Sequence, residues 1–367
     1  MKITPKFKFV GELGIPQDFE KFFRQWNGGA SGKLPMASIS FSVREGQNRG
    51  FVECFGMKND VIKTFNTEKG KIEIPWEDRL DPEVIKMVAS YRKFVVNLGE
   101  EYGGKKEFLT EYDMITYLAE VLPKYQGVIQ VTGVWKKDPY NGNIRDRYII
   151  QNVFSPDTFK DPIKASKPKL LLQADLFYNK DCVDDTSFKD DKKIYVNGYI
   201  QQYVDKETGD MYFPQRAILS AEKYDMEKEQ HVKTWEHRKG HIVDKGIAKK
   251  HMYHLYWEAR LINGAEEIEF DESMLTPQQK EQIALGIRTL DDFRPRGNIF
   301  GSKITEVRLL DPILTNDFAE GVVECPETLE EFESKVYKFA AVEKLEDAIK
   351  ESEVVEEDDD DDDDELF

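Results

Sequence analysis

The sequence has little cysteine and no long apolar run. Its 367 residues include three cysteines, Cys54, Cys182 and Cys325, which stand far apart with no C-x-x-C spacing. A disulfide framework and a cysteine-based zinc site are therefore excluded, and a reducing compartment is favoured. No segment reaches ~18 consecutive apolar residues, and the N-terminus lacks the apolar core of a signal peptide. We therefore expect a cytoplasmic protein without a membrane-spanning segment.

Recognisable catalytic and metal-binding motifs are also lacking. All five histidines lie between His231 and His254, and their spacing matches neither H-E-x-x-H nor a zinc finger. Gly28 to Lys33 resembles a phosphate loop, but its glycines are too close together and Leu34 stands where Ser or Thr is required. There is no G-x-S-x-G and no protein-kinase signature. We expect no metal, no cofactor and no enzymatic activity.

Negative charge is confined to the C-terminal part of the chain. The formal net charge is −18, of which residues 341–367 contribute −13 and residues 317–340 contribute −5. Residues 1–316 are therefore neutral overall, and a neutral body can still carry a basic groove. The acidic total does not exclude a polyanionic ligand.

The apolar patterning predicts a mostly β protein with short helices. The length of 367 residues favours about two domains, and a hydrophobic fraction of 40% is enough to form their cores. Strand-like alternation in 38–43 and 51–55, and again in 128–135 and 147–153, predicts two hairpins. Helical spacing predicts helices over 16–26 and 110–122. Capping boxes, Thr276 with Gln279 and Thr328 with Glu331, mark two further helix starts.

A repeated pattern suggests duplication. Ile129-x-Val131-x-Gly133, followed by a polar loop and Tyr148-x-x-Gln151, recurs 64 to 65 residues later from Ile194 onward. A short helix inside a mostly β unit is a feature of the five-stranded OB barrel, so we predict an α+β protein with two OB-like units. The predicted boundaries are a strand and helix extension (1–32), a first unit (33–156), a linker (157–169), a second unit (170–316), a C-terminal helix (317–352) and a disordered acidic tail (353–367).

Two regions combine cations with aromatic residues, the pairing that a single-strand groove needs for phosphates and bases. Any one of these aromatics could instead belong to a core. The candidates in the first unit are Arg44, Arg49, Trp135, Lys136, Lys137, Tyr140, Arg145 and Arg147. The candidates in the second unit are Lys233, Trp235, Arg238, Lys239, Lys249, Lys250, Tyr253 and Arg260.

The C-terminus carries the most specific pattern. Seven aspartates from Asp358 to Asp364 precede Glu365, Leu366 and Phe367, and so dense a run of like charge must stay solvated. A tail that served solubility alone would gain nothing from two apolar residues at its end. This ending resembles that of bacterial and bacteriophage single-stranded DNA-binding proteins, in which a flexible acidic segment closes with an aromatic residue. Two units and a preceding helix make the phage type the better match.

The resemblance implies a protein of phage DNA replication or recombination that binds single-stranded DNA without sequence preference, in the bacterial host cytoplasm. It also implies that the tail competes with DNA for the basic groove and recruits replication or recombination proteins. The tail residues are Asp358, Asp359, Asp360, Asp361, Asp362, Asp363, Asp364, Glu365, Leu366 and Phe367. Two other hypotheses are an acidic-tailed chaperone or assembly protein, and a metal-dependent nuclease on an OB-like scaffold.

Overall fold

A computed structural model describes residues 4–28, 32–240, 242, 251–268, 270–294, 299–315 and 321–338. The acidic tail and Lys249 and Lys250 lie outside these residues. The protein is predominantly β, as predicted. None of the helices in the described part is long and apolar enough to cross a membrane.

Among the described residues, ten strands lie in the first part of the chain: β1 (Lys6–Gly14), β2 (Phe23–Gly28), β3 (Leu34–Glu45), β4 (Asn48–Met57), β5 (Val61–Asn66), β6 (Gly70–Pro75), β7 (Phe94–Asn97), β8 (Lys105–Phe108), β9 (Val128–Tyr140) and β10 (Asn143–Phe154). Seven follow: β11 (Lys169–Tyr178), β12 (Val183–Asp184), β13 (Lys193–Asp205), β14 (Gly209–Ser220), β15 (His251–Ile268), β16 (Ile299–Pro312) and β17 (Val322–Thr328). The helices are α1 (Phe19–Phe22), α2 (Pro82–Met87), α3 (Glu111–Val121), α4 (Pro162–Ala165), α5 (Phe188–Asp191), α6 (Glu229–Lys239), α7 (Pro277–Ala284) and α8 (Leu329–Ser334).

Five strands of the first part form a closed ring of pairings, the first ring. β1 pairs with β3, β3 with β4, β4 with β10, β10 with β9, and β9 with β1. The β4–β10 contact is parallel, at Glu53 and Ile149, and the others are antiparallel. The chain turns from β9 into β10 through Asn141 and Gly142, which both have positive φ, as a tight hairpin requires.

The second ring has the same order of strands. β11 pairs with β13, β13 with β14, β14 with β16, β16 with β15, and β15 with β11. The β14–β16 contact, between Ile218 and Arg308, is again parallel. In both rings a helix separates the third strand from the fourth, α3 in the first and α6 in the second. The two rings therefore share one strand order.

The two hairpins that suggested this duplication are not equivalent, which corrects the prediction. β9 and β10 are the fourth and fifth strands of their ring, whereas β13 and β14 are the second and third of theirs. The shared residues have different roles. Gly133 permits close approach to the carbonyl of Ile149 in its own hairpin, whereas Gly198 lies against the carbonyl of Phe177 in β11.

The rings are joined through their first strands. Residues 6–10 of β1 pair antiparallel with residues 169–173 of β11, and each strand then continues into its own ring. The sequence places β1 in an N-terminal extension, but its pairing with β3, β9 and β11 makes it central to the sheet. One apolar core runs through both rings and includes Phe9, Ile150, Leu172 and Trp257.

Three helix predictions are confirmed and two are corrected. α3 buries Met114, Ile115 and Leu118, as its spacing predicted. The capping boxes at Thr276 and Thr328 are both present. The helix expected over 16–26 is one turn, α1, because the following residues extend as β2 and pair with β3. The predicted C-terminal helix (317–352) is corrected as well, because residues 322–328 form the strand β17 and α8 ends at Ser334. The chain from 339 onward is outside the described residues.

The chain from β17 to residue 337 covers the outside of the second ring. β17 pairs with β15, and α8 places Phe332 over Tyr212 with ring centroids 4.0 Å apart. Phe332 also contacts Tyr199 edge-on, at 5.4 Å between centroids. Beyond α8, the amide of Tyr337 donates to the carbonyl of Tyr212, and the amide of Tyr212 donates to the carbonyl of Lys335. The outer surface of the second ring at Tyr199 and Tyr212 is therefore covered by this C-terminal segment.

Candidate nucleic-acid interface

An aromatic surface lies open on the outside of the first ring. Trp26 of β2 and Phe51 and Phe55 of β4 keep 38%, 52% and 42% of their surface exposed. The Trp26 and Phe55 rings lie 5.9 Å apart and are tilted relative to each other. The guanidinium of Arg24 lies 5.6 Å from the Trp26 ring centre. We call Trp26, Phe51, Phe55 and Arg24 the aromatic face.

Strand periodicity explains how β4 exposes these rings. Val52 and Cys54 point into the core, so Phe51 and Phe55 point outward. Glycines at positions 50 and 56 let the inward side approach its neighbours closely. A Cβ on Gly50 would lie 2.4 Å from the Phe9 ring, and one on Gly56 would lie 2.4 Å from the amide nitrogen of Tyr112. The inward side of β4, beneath the aromatic face, is therefore closely packed.

The β9–β10 hairpin places predicted candidates beside this surface. Tyr140 is 56% exposed, and the guanidinium of Arg145 lies 4.7 Å from its ring centre. Arg145 also forms an ion pair with Asp138 at 2.8 Å. Arg147 donates to Glu53, which lies between the two exposed phenylalanines of β4. This ion pair ties the hairpin to the aromatic face.

Some cations near the face are neutralised by carboxylates, and others are not. Arg44 lies 3.5 Å from a carboxylate oxygen of Glu12. Among the described residues, Arg24, Arg49 and Lys136 are exposed and form no ion pair. An anion can bind these three cations without first displacing a carboxylate. They are therefore the best candidates for contacts with phosphates.

Trp135 and Lys137 were predicted as groove residues, and the structure corrects both. Trp135 is 2% exposed and donates from Nε1 to Asp146 at 2.6 Å. Lys137 is 6% exposed, with Nζ 2.7 Å from Asp146 and 2.5 Å from Oε1 of Gln215. The backbone of Lys137 also exchanges hydrogen bonds with the side chain of Gln202. Both residues are interior, and Lys137 links the first ring to the second.

The second predicted region does not assemble into one surface. Trp235 is 2% exposed and stacks on Phe188 at 5.4 Å, while Arg238 is buried and donates to the carbonyl of Leu309 at 2.9 Å. These two residues belong to the core, which corrects their assignment. The other described members keep surface positions: Lys233 pairs with Glu229, Lys239 with Glu236 and Arg260 with Glu45, and Tyr253 is half-buried on β15.

The described histidines and cysteines have structural surroundings. His254 Nδ1 lies 2.9 Å from Oδ2 of the buried Asp175, and the His254 ring stacks on Phe177. Burial raises the pKa of Cys54 far above its ordinary range, and burial also raises the pKa of Cys325. These two thiols are therefore not activated as thiolates. No group of three metal-ligating side chains occurs in the described part of the chain.

Sequence reasoning missed four members of the interface: Arg24, Trp26, Phe51 and Phe55. A signal was available in Phe51-x-x-x-Phe55, because the inward places at 52 and 54 are apolar and leave both aromatics on the other side of the strand. Trp26 was assigned to a helix face. The hairpin candidates Tyr140, Arg145 and Arg147 are brought close to this face.

Comparison with protein-family models and with curated proteins finds no match for this chain.

Proposed function

We propose that the protein binds single-stranded DNA on the aromatic face of the first ring. The observation that carries this proposal is the exposure of Trp26, Phe51 and Phe55 beside the unpaired cations Arg24 and Arg49. Exposed aromatic rings offer stacking surfaces to any base, and nearby cations contact the phosphates. Binding of this kind has little sequence preference.

The strand order supports an OB-like reading of each ring. In that fold the second and third of five strands carry the ligand, helped by the loops after the first strand and between the last two. In the first ring these parts are β3 and β4, the segment containing β2, and the β9–β10 tip. They hold the exposed aromatics and the cations described above. The predicted OB-like fold and the proposed ligand are therefore mutually consistent.

The acidic tail completes the proposal. Asp358 to Asp364 would compete with DNA for the cations of the first ring, and Leu366 and Phe367 would dock on replication or recombination proteins. The resemblance of this ending to single-stranded DNA-binding proteins supports a role in phage replication or recombination. We propose that the protein acts as a binding protein and not as an enzyme.

The test is titration of fluorescent oligo-dT and of duplex of equal length, each at two salt concentrations. We expect tighter binding to oligo-dT, with a log–log salt slope of about −0.7 per phosphate contacted. Phe55→Ala and Trp26→Ala should each weaken binding by about 1–3 kcal/mol, the worth of one stacked base. Equal affinity for duplex, or unchanged binding in both variants, would refute the proposal.

Two truncations separate the roles of the tail. Removal of residues 356–367 should raise affinity for oligo-dT at low salt, because the competing charge is gone. Removal of Leu366 and Phe367 alone should leave that affinity unchanged and reduce capture of a replication protein. Unchanged behaviour in both truncations would favour a tail that serves solubility.

A further inference from the structure

A cleft separates the two rings next to the aromatic face. Its volume is about 410 Å³. The first ring lines it with Gln47, Arg49 and Phe51, and the second ring with Asn263, Gly264 and Lys303. Residues 46–47 connect β3 to β4, and residues 263–264 lie in β15 opposite β16. The cleft is thus built from two rings and not from one.

The walls of the cleft are held by direct contacts between the rings. Asn263 donates from Nδ2 to the carbonyl of Arg49 at 2.8 Å and accepts a hydrogen bond from Thr305 at 3.1 Å. Gly264 lies so close to the β3–β4 turn that a Cβ there would be 2.9 Å from the carbonyl oxygen of Gln47. The position of the wall is therefore fixed before any ligand arrives.

The charge in the cleft is uncompensated. Arg49 and Lys303 are both exposed, and neither forms an ion pair among the described residues. The nearby Arg260, by contrast, lies 2.7 Å from Glu45. Two free cations from different rings face one cavity that also contains the exposed ring of Phe51. A cation pair beside an aromatic ring fits a phosphate attached to a base.

We infer that the bound single strand runs from the aromatic face into this cleft, where one base stacks on Phe51 and one phosphate lies between Arg49 and Lys303. The inference rests on the proposed function and extends it, because it makes the second ring part of the binding site. The volume lies in the ~300–1,000 Å³ range of small-ligand sites, so the cleft can enclose a nucleotide. The first ring would supply most of the stacking, and the second would supply one half of a phosphate clamp.

The experiment measures the salt dependence of oligo-dT binding by the full chain and by Arg49→Ala, Lys303→Ala and the double variant. The matched control is Lys206→Ala, which removes an exposed lysine at the tip of the β13–β14 hairpin. Loss of one phosphate contact should reduce the magnitude of the log–log slope by about 0.7 in the double variant. The control should match the parent protein, and unchanged melting temperatures should show that all four variants are folded.

The outcomes are distinguishable. If the parent protein fails to bind oligo-dT, the proposed function itself is wrong. If Phe55→Ala weakens binding but the Arg49 and Lys303 variants match Lys206→Ala, the function stands and the cleft is overturned. A slope change near 1.4 in the double variant would mean that Arg49 and Lys303 contact separate phosphates. That result would contradict the proposal that one phosphate lies between them.

Two further measurements need no variant. Hydrogen exchange should slow at residues 46–51 and also at residues 262–264 when oligo-dT binds, and slowing in the first segment alone would contradict the inference. Thymidine monophosphate should compete only weakly, because the strand carries most of its contacts on the aromatic face. Saturation of the parent protein by the mononucleotide at the concentration that oligo-dT requires would show a free-nucleotide site instead.

Discussion

The outer faces of the two rings differ in what covers their aromatic residues. In the first ring Phe51 and Phe55 face solvent. In the second ring Tyr199 and Tyr212 lie beneath Phe332, which is 1% exposed. The strand order is the same in both, so the difference comes from the C-terminal segment that follows the second ring. An aromatic side chain on the outer face of a strand is therefore not necessarily a binding residue. Its role depends on whether another segment of the chain packs over it.

The largest expected effect comes from removing one phenylalanine from each face. Phe332→Ala should lower the free energy of unfolding by about 3–5 kcal/mol, because a fully buried ring is lost. Phe55→Ala should lower it by about 0.5–1.5 kcal/mol, the worth of its contact with Trp26. Urea denaturation followed by circular dichroism measures both. Equal losses would mean that the first face is packed as core and that the comparison fails.

A smaller effect is expected where the rings are joined. Lys137→Ala should lower the free energy of unfolding by about 1–3 kcal/mol, because Gln215 and Asp146 lose a buried donor. Lys136→Ala removes the same charge from the adjacent exposed position and should change stability by less than about 0.5 kcal/mol. Chemical denaturation of the pair tests this. If the two variants were equally stable, Lys137 would not hold the second ring to the first.

The smallest effect concerns two carboxylates, Glu107 of β8 and Glu306 of β16. Hydrogen bonds from Lys105 and Lys93 lower the pKa of Glu107 below its ordinary value of 4.5. Burial alone would raise the pKa of Glu306, but hydrogen bonds from Arg308 and Lys193 outweigh it and leave that pKa lowered as well. A lowered pKa in the folded state stabilises the protein above the ordinary value, and this stabilisation is lost as the pH falls through the lowered one.

Glu107→Gln and Glu306→Gln should therefore be less stable than the parent protein at pH 7, and the difference should shrink as the pH falls below about 4.5. Urea midpoints between pH 7 and pH 3 give the profile for each carboxylate. A difference that grew on acidification would contradict the assignment.

Local patterns predicted the parts of the fold that depend on neighbours in sequence. The alternation in 128–135 and 147–153 marked the β9–β10 hairpin, and Thr276 and Thr328 marked helix starts, since each feature depends on residues close together in sequence. The burial of Trp135 and Trp235 could not be predicted in this way. Each looks like a surface aromatic beside lysines, but Trp135 lies against the interior of the second ring, beside Leu172, and Trp235 lies on Phe188.

The candidate site was predictable in part for the same reason. Arg49 and Arg145 were found because cations at hairpin tips are visible in a short window. Lys303 and Asn263 were missed because they join the cleft only through the packing of β15 against the β3–β4 turn, more than 200 residues away in sequence. A site built by two rings has no local signature in either one.

The pairing of β1 with β11 has a consequence for synthesis. β1 is made before the other described strands, yet its residues 6–10 pair with residues 130–134 of β9 and 169–173 of β11, and only residues 12–14 pair with the early strand β3. At the usual 5–20 residues per second, the nascent chain carries residues 6–10 without a strand partner for roughly 10 to 30 s before their last partner is made. An unprotected strand edge invites pairing with other chains. Chaperones would therefore meet residues 6–10 of β1 before either ring can close.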